Sequence, residues 1–187
     1  MKQNAKTSII NSFKYLLERH SADKITVKQI CEYGNVNRQT FYYYFTDIID
    51  IFKSIMFEEL TAEIAQNRTF DTWEGGFLAT MNYFKRNSKM VLHVYRSSYW
   101  PEAKNSFANL SNKLLGDVVE ECIEKSSVKL LEKDQKFIIN FYRHVFNGLI
   151  GDWVGEGMDE EPQVILDRLL VVITGSIPRS VAAFAKI

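Results

Sequence analysis

The stretch TVKQICEYGNVNRQTFYYYF, Thr26 to Phe45, decides the fold, because it reads as two short helices joined by a tight turn. Thr26 has the chemistry of an N-cap. Its hydroxyl can accept a bond from the free backbone donors of the first turn, and Gln29, three residues on, can reach back to it. The first helix is expected to end at Gly34 in the left-handed conformation, which glycine adopts without a Cβ penalty. The chain then reverses through Asn35 and Val36 and restarts with Asn37 as the next N-cap. The spacing predicts a helix, a three-residue turn and a second helix.

In that second helix Phe41 and Phe45 share one face, with Asn37 and Arg38 above them, and can pack on Val27, Ile30, Cys31 and Val36. The opposite face carries Gln39 and Tyr43, flanked by Thr40, Tyr42 and Tyr44, with Arg38 at the N-terminal end. An amide, a hydroxyl and phenols can bond base edges and phosphates, and a helix N-terminus offers further N–H groups to a phosphate. Two readings are open: a stable two-helix corner with an aromatic surface, or a surface that reads duplex DNA. Aromatic residues on both faces of so short a helix favour the second.

Residues 1–52 resemble the DNA-binding domain of TetR-family transcriptional regulators, with an amphipathic first helix, then ITVKQIC, a tight turn, and TFYYYF before a fourth helix. The resemblance implies that Thr26, Tyr42 and Tyr44 hold phosphates and that Lys28 reaches a phosphate or base. It also implies that Arg38, Gln39, Thr40 and Tyr43 face the major groove, with Asn37 in the same DNA-facing set. One position departs. The family has a lysine just inside the fourth helix, after an F-K-N or F-K-D step, whereas this chain has Phe45-Thr46-Asp47-Ile48. Fewer ionic contacts and weaker non-specific DNA binding are expected.

The composition fits. The 187 residues can hold a small DNA-binding domain and a larger helical one, and 46% hydrophobic residues suffice for a core. The net charge is zero, yet residues 1–46 carry Lys2, Lys6, Lys14, Arg19, Lys24, Lys28 and Arg38 against Glu18, Asp23 and Glu32. A local basic excess argues for a DNA-facing end and against a whole-surface polyanion binder. Cys31 and Cys122 lack CxxC spacing and read as small buried hydrophobes. MKQNAKTSIINSF has no apolar signal core, and Leu169 to Ile173 is closed in by Arg168 and Arg179, so no membrane span and a cytoplasmic location are expected.

The pattern along the chain predicts an all-α protein of about nine helices, divided into a DNA-binding domain at 1–47 and an effector-binding and dimerisation domain at 48–187. Ile9, Ile10, Phe13, Leu16 and Leu17 form one stripe of a first helix. Asp47 caps a fourth helix running through Leu60, followed by a polar break at 67–72. Further helices follow at Trp73–Arg86, Lys89–Ser98, Glu102–Lys125 and Gln135–Val154. A ninth runs from Gln163 nearly to the end, with Pro178 expected to bend or interrupt it.

Gly148, Gly151 and Gly155 clear one stripe of the eighth helix. A glycine costs roughly 1 kcal/mol in a helix interior, so three imply a packing reason. That reason is either an intrachain crossing or a homodimer interface, the latter completed by Leu149, Asp152, Trp153, Leu166, Leu169, Leu170, Ile173 and Ile177. The run from Gly148 to Met158 resembles the C-terminal domain of a TetR branch that includes dihydroxyacetone kinase operon activators. Phe77, Met81, Phe84, His93, Tyr95, Tyr99, Trp100, Phe107, Phe141 and His144 form either core or the wall of an effector cavity.

His20, His93 and His144 stand apart, and no nucleophile, metal-ligand or phosphate-loop pattern is present. No enzyme activity, metal or cofactor is expected. The expected partners are double-stranded operator DNA, a second copy of the chain and an unknown small-molecule effector. The expected function is repression relieved by that effector; the alternatives are an activator of the same family or a helical protein-binding module.

Overall fold

The computed structural model describes residues 5–67 and 69–185; Lys2 of the basic count and Arg68 of the polar break lie outside them. These residues are all-α, with no strand among them. The nine expected helices are present, and two of them are subdivided, giving α1 to α11.

The chain forms two compact units. The first comprises the residues up to Leu60 together with Asn87–Ser106, and the second comprises Thr61–Arg86 and the chain from Phe107 onward. Compactness divides the chain elsewhere than the expected boundary at 47/48, because the 87–106 excursion packs on the N-terminal helices.

In the first unit α1 (Ala5–Leu17) buries Ile9, Phe13, Leu16 and Leu17, the predicted stripe without Ile10. A 3-10 turn, Ala22–Lys24, leads to α2 (Val27–Gly34). The capping box at its start is complete. Gln29 N–H donates to Thr26 Oγ1 at 3.3 Å, and Thr26 N–H donates to Gln29 Oε1 at 2.9 Å.

The end of α2 differs from expectation. Gly34 is helical, and the left-handed residue is Asn35, at φ +48°. Gly34 is needed for another reason: a Cβ there would lie 3.0 Å from Ser12 Oγ and 3.3 Å from the Ser8 carbonyl oxygen. The close approach of α1 therefore makes any side chain at Gly34 a tight fit, one that Ser12 and the Ser8 backbone must yield to, while asparagine tolerates the turn.

After α3 (Arg38–Tyr44), Asp47 caps α4 (Ile48–Ile55), accepting the Asp50 N–H at 2.8 Å. The fourth helix does not run smoothly to Leu60. It passes into a π-helical segment, Met56–Leu60, before α5 (Thr61–Glu63). The carboxylates of Glu58 and Glu59 on that segment meet Lys6 and Lys14 of α1. In the excursion, α7 (Ser88–Tyr95) is held to α1 by a His93 Nδ1 bond to the Leu17 carbonyl. Asp23 fixes its far end, accepting Ser98 N–H at 3.1 Å and Ser98 Oγ–H at 2.6 Å.

The second unit contains α6 (Trp73–Arg86), α9 (Glu132–Gly155), α10 (Pro162–Ile173) and α11 (Ser176–Phe184); α8 (Trp100–Ser126) contributes its length from Phe107. The ninth helix breaks at Thr174 and Gly175, φ +72°, ahead of Pro178. A proline ring clashes with the carbonyl four residues earlier, so an unbroken helix would fail at Thr174, and the interruption falls there. Tyr142 is buried with its hydroxyl donating to Ser176 Oγ at 2.8 Å, and Trp153 Nε1–H donates to the Glu160 carbonyl at 2.9 Å.

These backbone roles predict opposite responses at neighbouring positions. Gly34→Ala should destabilise by about 1–3 kcal/mol through overpacking against α1. Asn35→Gly should be neutral or stabilise by a few tenths of a kcal/mol, since glycine meets no penalty in the left-handed region. Thermal melts of the two variants check this; a Gly34→Ala protein as stable as wild type would contradict the close packing.

Candidate nucleic-acid interface

Seven residues, Arg38 to Tyr44, make α3, too few to be stable alone. It is held from one side and capped at its start. Phe41 is fully buried and Phe45 nearly so, with ring centroids 6.2 Å apart, and Asn37 Oδ1 accepts the Thr40 N–H at 2.7 Å. The helical period then turns the remaining side chains outward. Arg38, Gln39, Tyr42, Tyr43 and Tyr44 are exposed and Thr40 half-buried. Tyr43 is the most open of them at 81%. Its ring stands perpendicular to that of Tyr44, centroids 4.8 Å apart, and Tyr42 packs edge-on against Phe41 at 5.2 Å. At the start of α2, Thr26 and Lys28 are exposed as well. The arrangement offers hydroxyls, an amide and a guanidinium on one convex element that can enter a groove.

The charges are more internally matched than the sequence count suggests. Lys6 meets Glu58 at 2.6 Å, Lys14 meets Glu59, Arg19 meets Glu18 at 3.3 Å and Lys28 meets Glu32 at 3.8 Å. Two of the matching carboxylates, Glu58 and Glu59, lie beyond the window in which the basic excess was counted. Where the family resemblance would put a lysine, Asp50 accepts both Thr46 N–H at 2.9 Å and Thr46 Oγ1–H at 3.2 Å. The entry to α4 is thus built of carboxylates bonded to their own backbone. Cys31 is buried beside this surface, and burial pushes its thiol up, with the Arg38 guanidinium pulling the other way.

The expected effector residues are distributed over both units. Phe77, Met81 and Phe84 are buried in the second unit, where Phe84 packs on Phe107 with centroids 5.4 Å apart. Trp73 stacks on Phe146 with centroids 5.5 Å apart, and Phe77 packs against it tilted, at 5.4 Å. His93, Tyr95, Tyr99 and Trp100 belong to the first unit; Tyr95 and Trp100 pack together at 4.6 Å. Phe141 and His144 are exposed on the outer side of α9, Phe141 at 54%, and are not core.

The expected interface set also divides. Trp153, Leu166, Leu169, Ile173 and Ile177 are buried within the chain, and Leu170 is half-buried, so the apolar face of α10 is turned inward to the core. Gly148, Leu149, Asp152 and Gly155 are exposed and Gly151 half-exposed, and a Cβ on Gly148 or Gly151 would meet nothing within 4 Å. Among the described residues, then, no helix crosses at those two glycines. The open stripe extends beyond the expected glycines, through Phe141 and His144, which were expected at the effector, and through Phe137, Val164, Val171 and Val172, which the sequence pattern did not single out. Phe137, Phe141, His144, Gly148, Gly151 and Gly155 recur at alternating spacings of four and three along α9, and Val164, Val171 and Val172 are exposed on α10. The heptad-like spacing was the available signal.

Residues 71–175 match the TetR-type family described as the transcriptional regulator C-terminal region. The chain belongs to the TetR family of transcriptional regulators. No curated protein matches it in sequence. Among solved structures, a dihydroxyacetone kinase operon activator, DhaS, is similar with a TM-score of 0.70 at 18% identity, over 92% of this chain and 96% of that one. NalD of Pseudomonas aeruginosa, a secondary repressor of the MexAB-OprM multidrug efflux pump, is similar at 0.60 and 14%, over 94% and 96%. The fatty acid degradation regulator FadR of Bacillus halodurans follows at 0.59 and 16%, over 90% and 93%. At these identities the likeness establishes the fold.

For a TetR protein in which Lys6, Lys14, Arg19 and Lys28 each face a carboxylate, DNA affinity should depend weakly on salt. If each of two heads brings two cations to the DNA, Arg38 and Lys28 released from its loose 3.8 Å pair with Glu32, log K against log[salt] should fall with a slope of about −4. A titration by fluorescence anisotropy measures it, and a slope of about −6 or steeper would show that the internal pairs open to neutralise DNA.

Proposed function

We propose that this TetR-family protein binds a pseudo-palindromic duplex as a homodimer through α3 and represses transcription until a small molecule occupies its second unit. The exposed polar and aromatic face of α3, set opposite buried Phe41 and Phe45, carries the reading. In this reading Thr26, Tyr42 and Tyr44 bond phosphates, Lys28 contacts a phosphate or base, and Arg38, Gln39, Thr40 and Tyr43 address base edges. Asn37 fixes the start of the helix.

Two heads are needed because one seven-residue helix makes few contacts. The open stripe of α9 with the exposed valines of α10 supports a two-fold contact between copies, in which the glycines let backbones approach closely. The effector acts from the apolar interior around Phe77, Met81, Phe84 and Phe107. It must bind the released state more tightly than the DNA-bound one, by roughly 5.5 kcal/mol to move the population from 1:99 to 99:1. Repression needs no surface beyond the DNA-binding one, since an occupied operator excludes polymerase. Activation is the second reading, supported by the likeness to a structure named an operon activator.

Footprinting on the DNA flanking the gene tests the function. The expected result is a pair of protected half-sites about one helical turn, ~34 Å, apart, lost when an effector is added. Protection no better than on random duplex would reject the reading. For the dimer, Val171→Asp and Phe141→Asp place charge on exposed positions and should yield helical monomers in sedimentation with operator affinity reduced at least 100-fold, about 2.7 kcal/mol. Variants that remain dimeric would move the interface elsewhere.

A further inference from the structure

Tyr43 is the most exposed large hydrophobic side chain of the first unit among the described residues. A ring that open would ordinarily sample several rotamers, and ordering it on a ligand would cost entropy. Here a neighbour restrains it. Tyr44 is only 36% exposed, and its ring stands at 88° to that of Tyr43 with centroids 4.8 Å apart. Perpendicular packing of this kind is favourable for aromatic pairs and fixes the plane in which Tyr43 presents its ring. Tyr43 is thus a projecting, pre-oriented aromatic face with no partner surface of its own in the first unit's core.

Gln39 is exposed one turn earlier on the same face. Four residues advance a helix by about 6 Å, and stacked base pairs repeat every ~3.4 Å, so the amide and the ring fall on base pairs one or two steps apart. A glutamine amide matches the N6 and N7 edge of adenine, whereas the apolar group offered by the major groove is the C5 methyl of thymine. We propose that Tyr43 is a specificity-determining residue whose ring face reads a thymine methyl, that Tyr44 is its positioning residue, and that Gln39 reads an adenine one or two base pairs away. This rests on the reading of α3 as the DNA-contacting element. The half-site therefore contains a thymine and an adenine at that separation, and the thymine is recognised through its methyl rather than through O4.

The test begins with selection of duplexes from a random library by the full-length protein, followed by replacement of each half-site thymine with uracil, which removes only the methyl. At one position per half-site uracil should weaken wild-type binding about fourfold, and about fifteenfold when both half-sites are changed, as expected for burial of one methyl at each head. Tyr43→Ala should bind the thymine and uracil duplexes equally, and Tyr43→Phe should keep the methyl preference because the ring remains. Tyr44→Ala should reduce the preference and Tyr44→Phe preserve it. A selected site at which no uracil replacement changes affinity would overturn the proposal, as would a methyl preference that survives Tyr43→Ala or disappears in Tyr43→Phe. Failure to enrich any sequence would instead overturn the DNA reading of α3, and this proposal with it.

Discussion

Burial of Phe41 and Phe45 is the constraint on which the reading end depends. A seven-residue helix cannot hold itself, and fully burying a phenylalanine stabilises by roughly 1.5–3 kcal/mol, so these two side chains with the Asn37 cap keep α3 in place. Fixing that face also fixes the other. With 3.6 residues per turn, Gln39 and Tyr43 have nowhere to point but outward. The same economy of space reaches α2, where α1 comes close enough to make a side chain at Gly34 a tight fit and the left-handed turn falls to Asn35.

The helix-turn-helix was legible in the sequence because its determinants are local. A cap at Thr26, a second cap at Asn37 and the spacing of Phe41 and Phe45 each involve residues within one turn of one another, and all stand in the structure. The assignment of the left-handed residue to Gly34 was not legible, because helix-end chemistry and close packing both select glycine, and only the position of Ser8 and Ser12 distinguishes them. Which face of α10 points inward was equally hidden. Leu166, Leu169 and Ile173 form an apolar stripe that suits a core or an interface, and the exposed Val171 and Val172 beside it make the helix hydrophobic nearly all round. The π-helical segment and the grouping of 87–106 with the N-terminal helices depend on contacts far apart in sequence, among them His93 to Leu17 and Asp23 to Ser98.

Electrostatics shows the same limit and bears on function. The basic count of the first 46 residues points to a polyanion, yet Glu58 and Glu59, placed by the π-helical segment, answer Lys6 and Lys14. Each exposed pair is worth little to stability, about 0–1 kcal/mol. Their effect is on the partner's side: a lysine already facing a carboxylate contributes less to phosphate neutralisation. In the proposed DNA complex recognition then falls to neutral groups, the hydroxyls and amide of Thr26, Gln39, Thr40 and the tyrosines, which favours discrimination over indiscriminate affinity.

The proposed DNA contacts lie on one face of one short helix and on the cap of the helix before it. Backbone amide shifts of the isotope-labelled protein, followed as a selected duplex is titrated in, test that placement residue by residue. The largest shifts are expected at Thr26 to Lys28 and at Asn37 to Tyr44, with Ile9, Phe13 and Leu16 nearly unmoved. Shifts concentrated instead on the open stripe of α9 and α10, with Gln39 and Tyr43 unchanged, would contradict it.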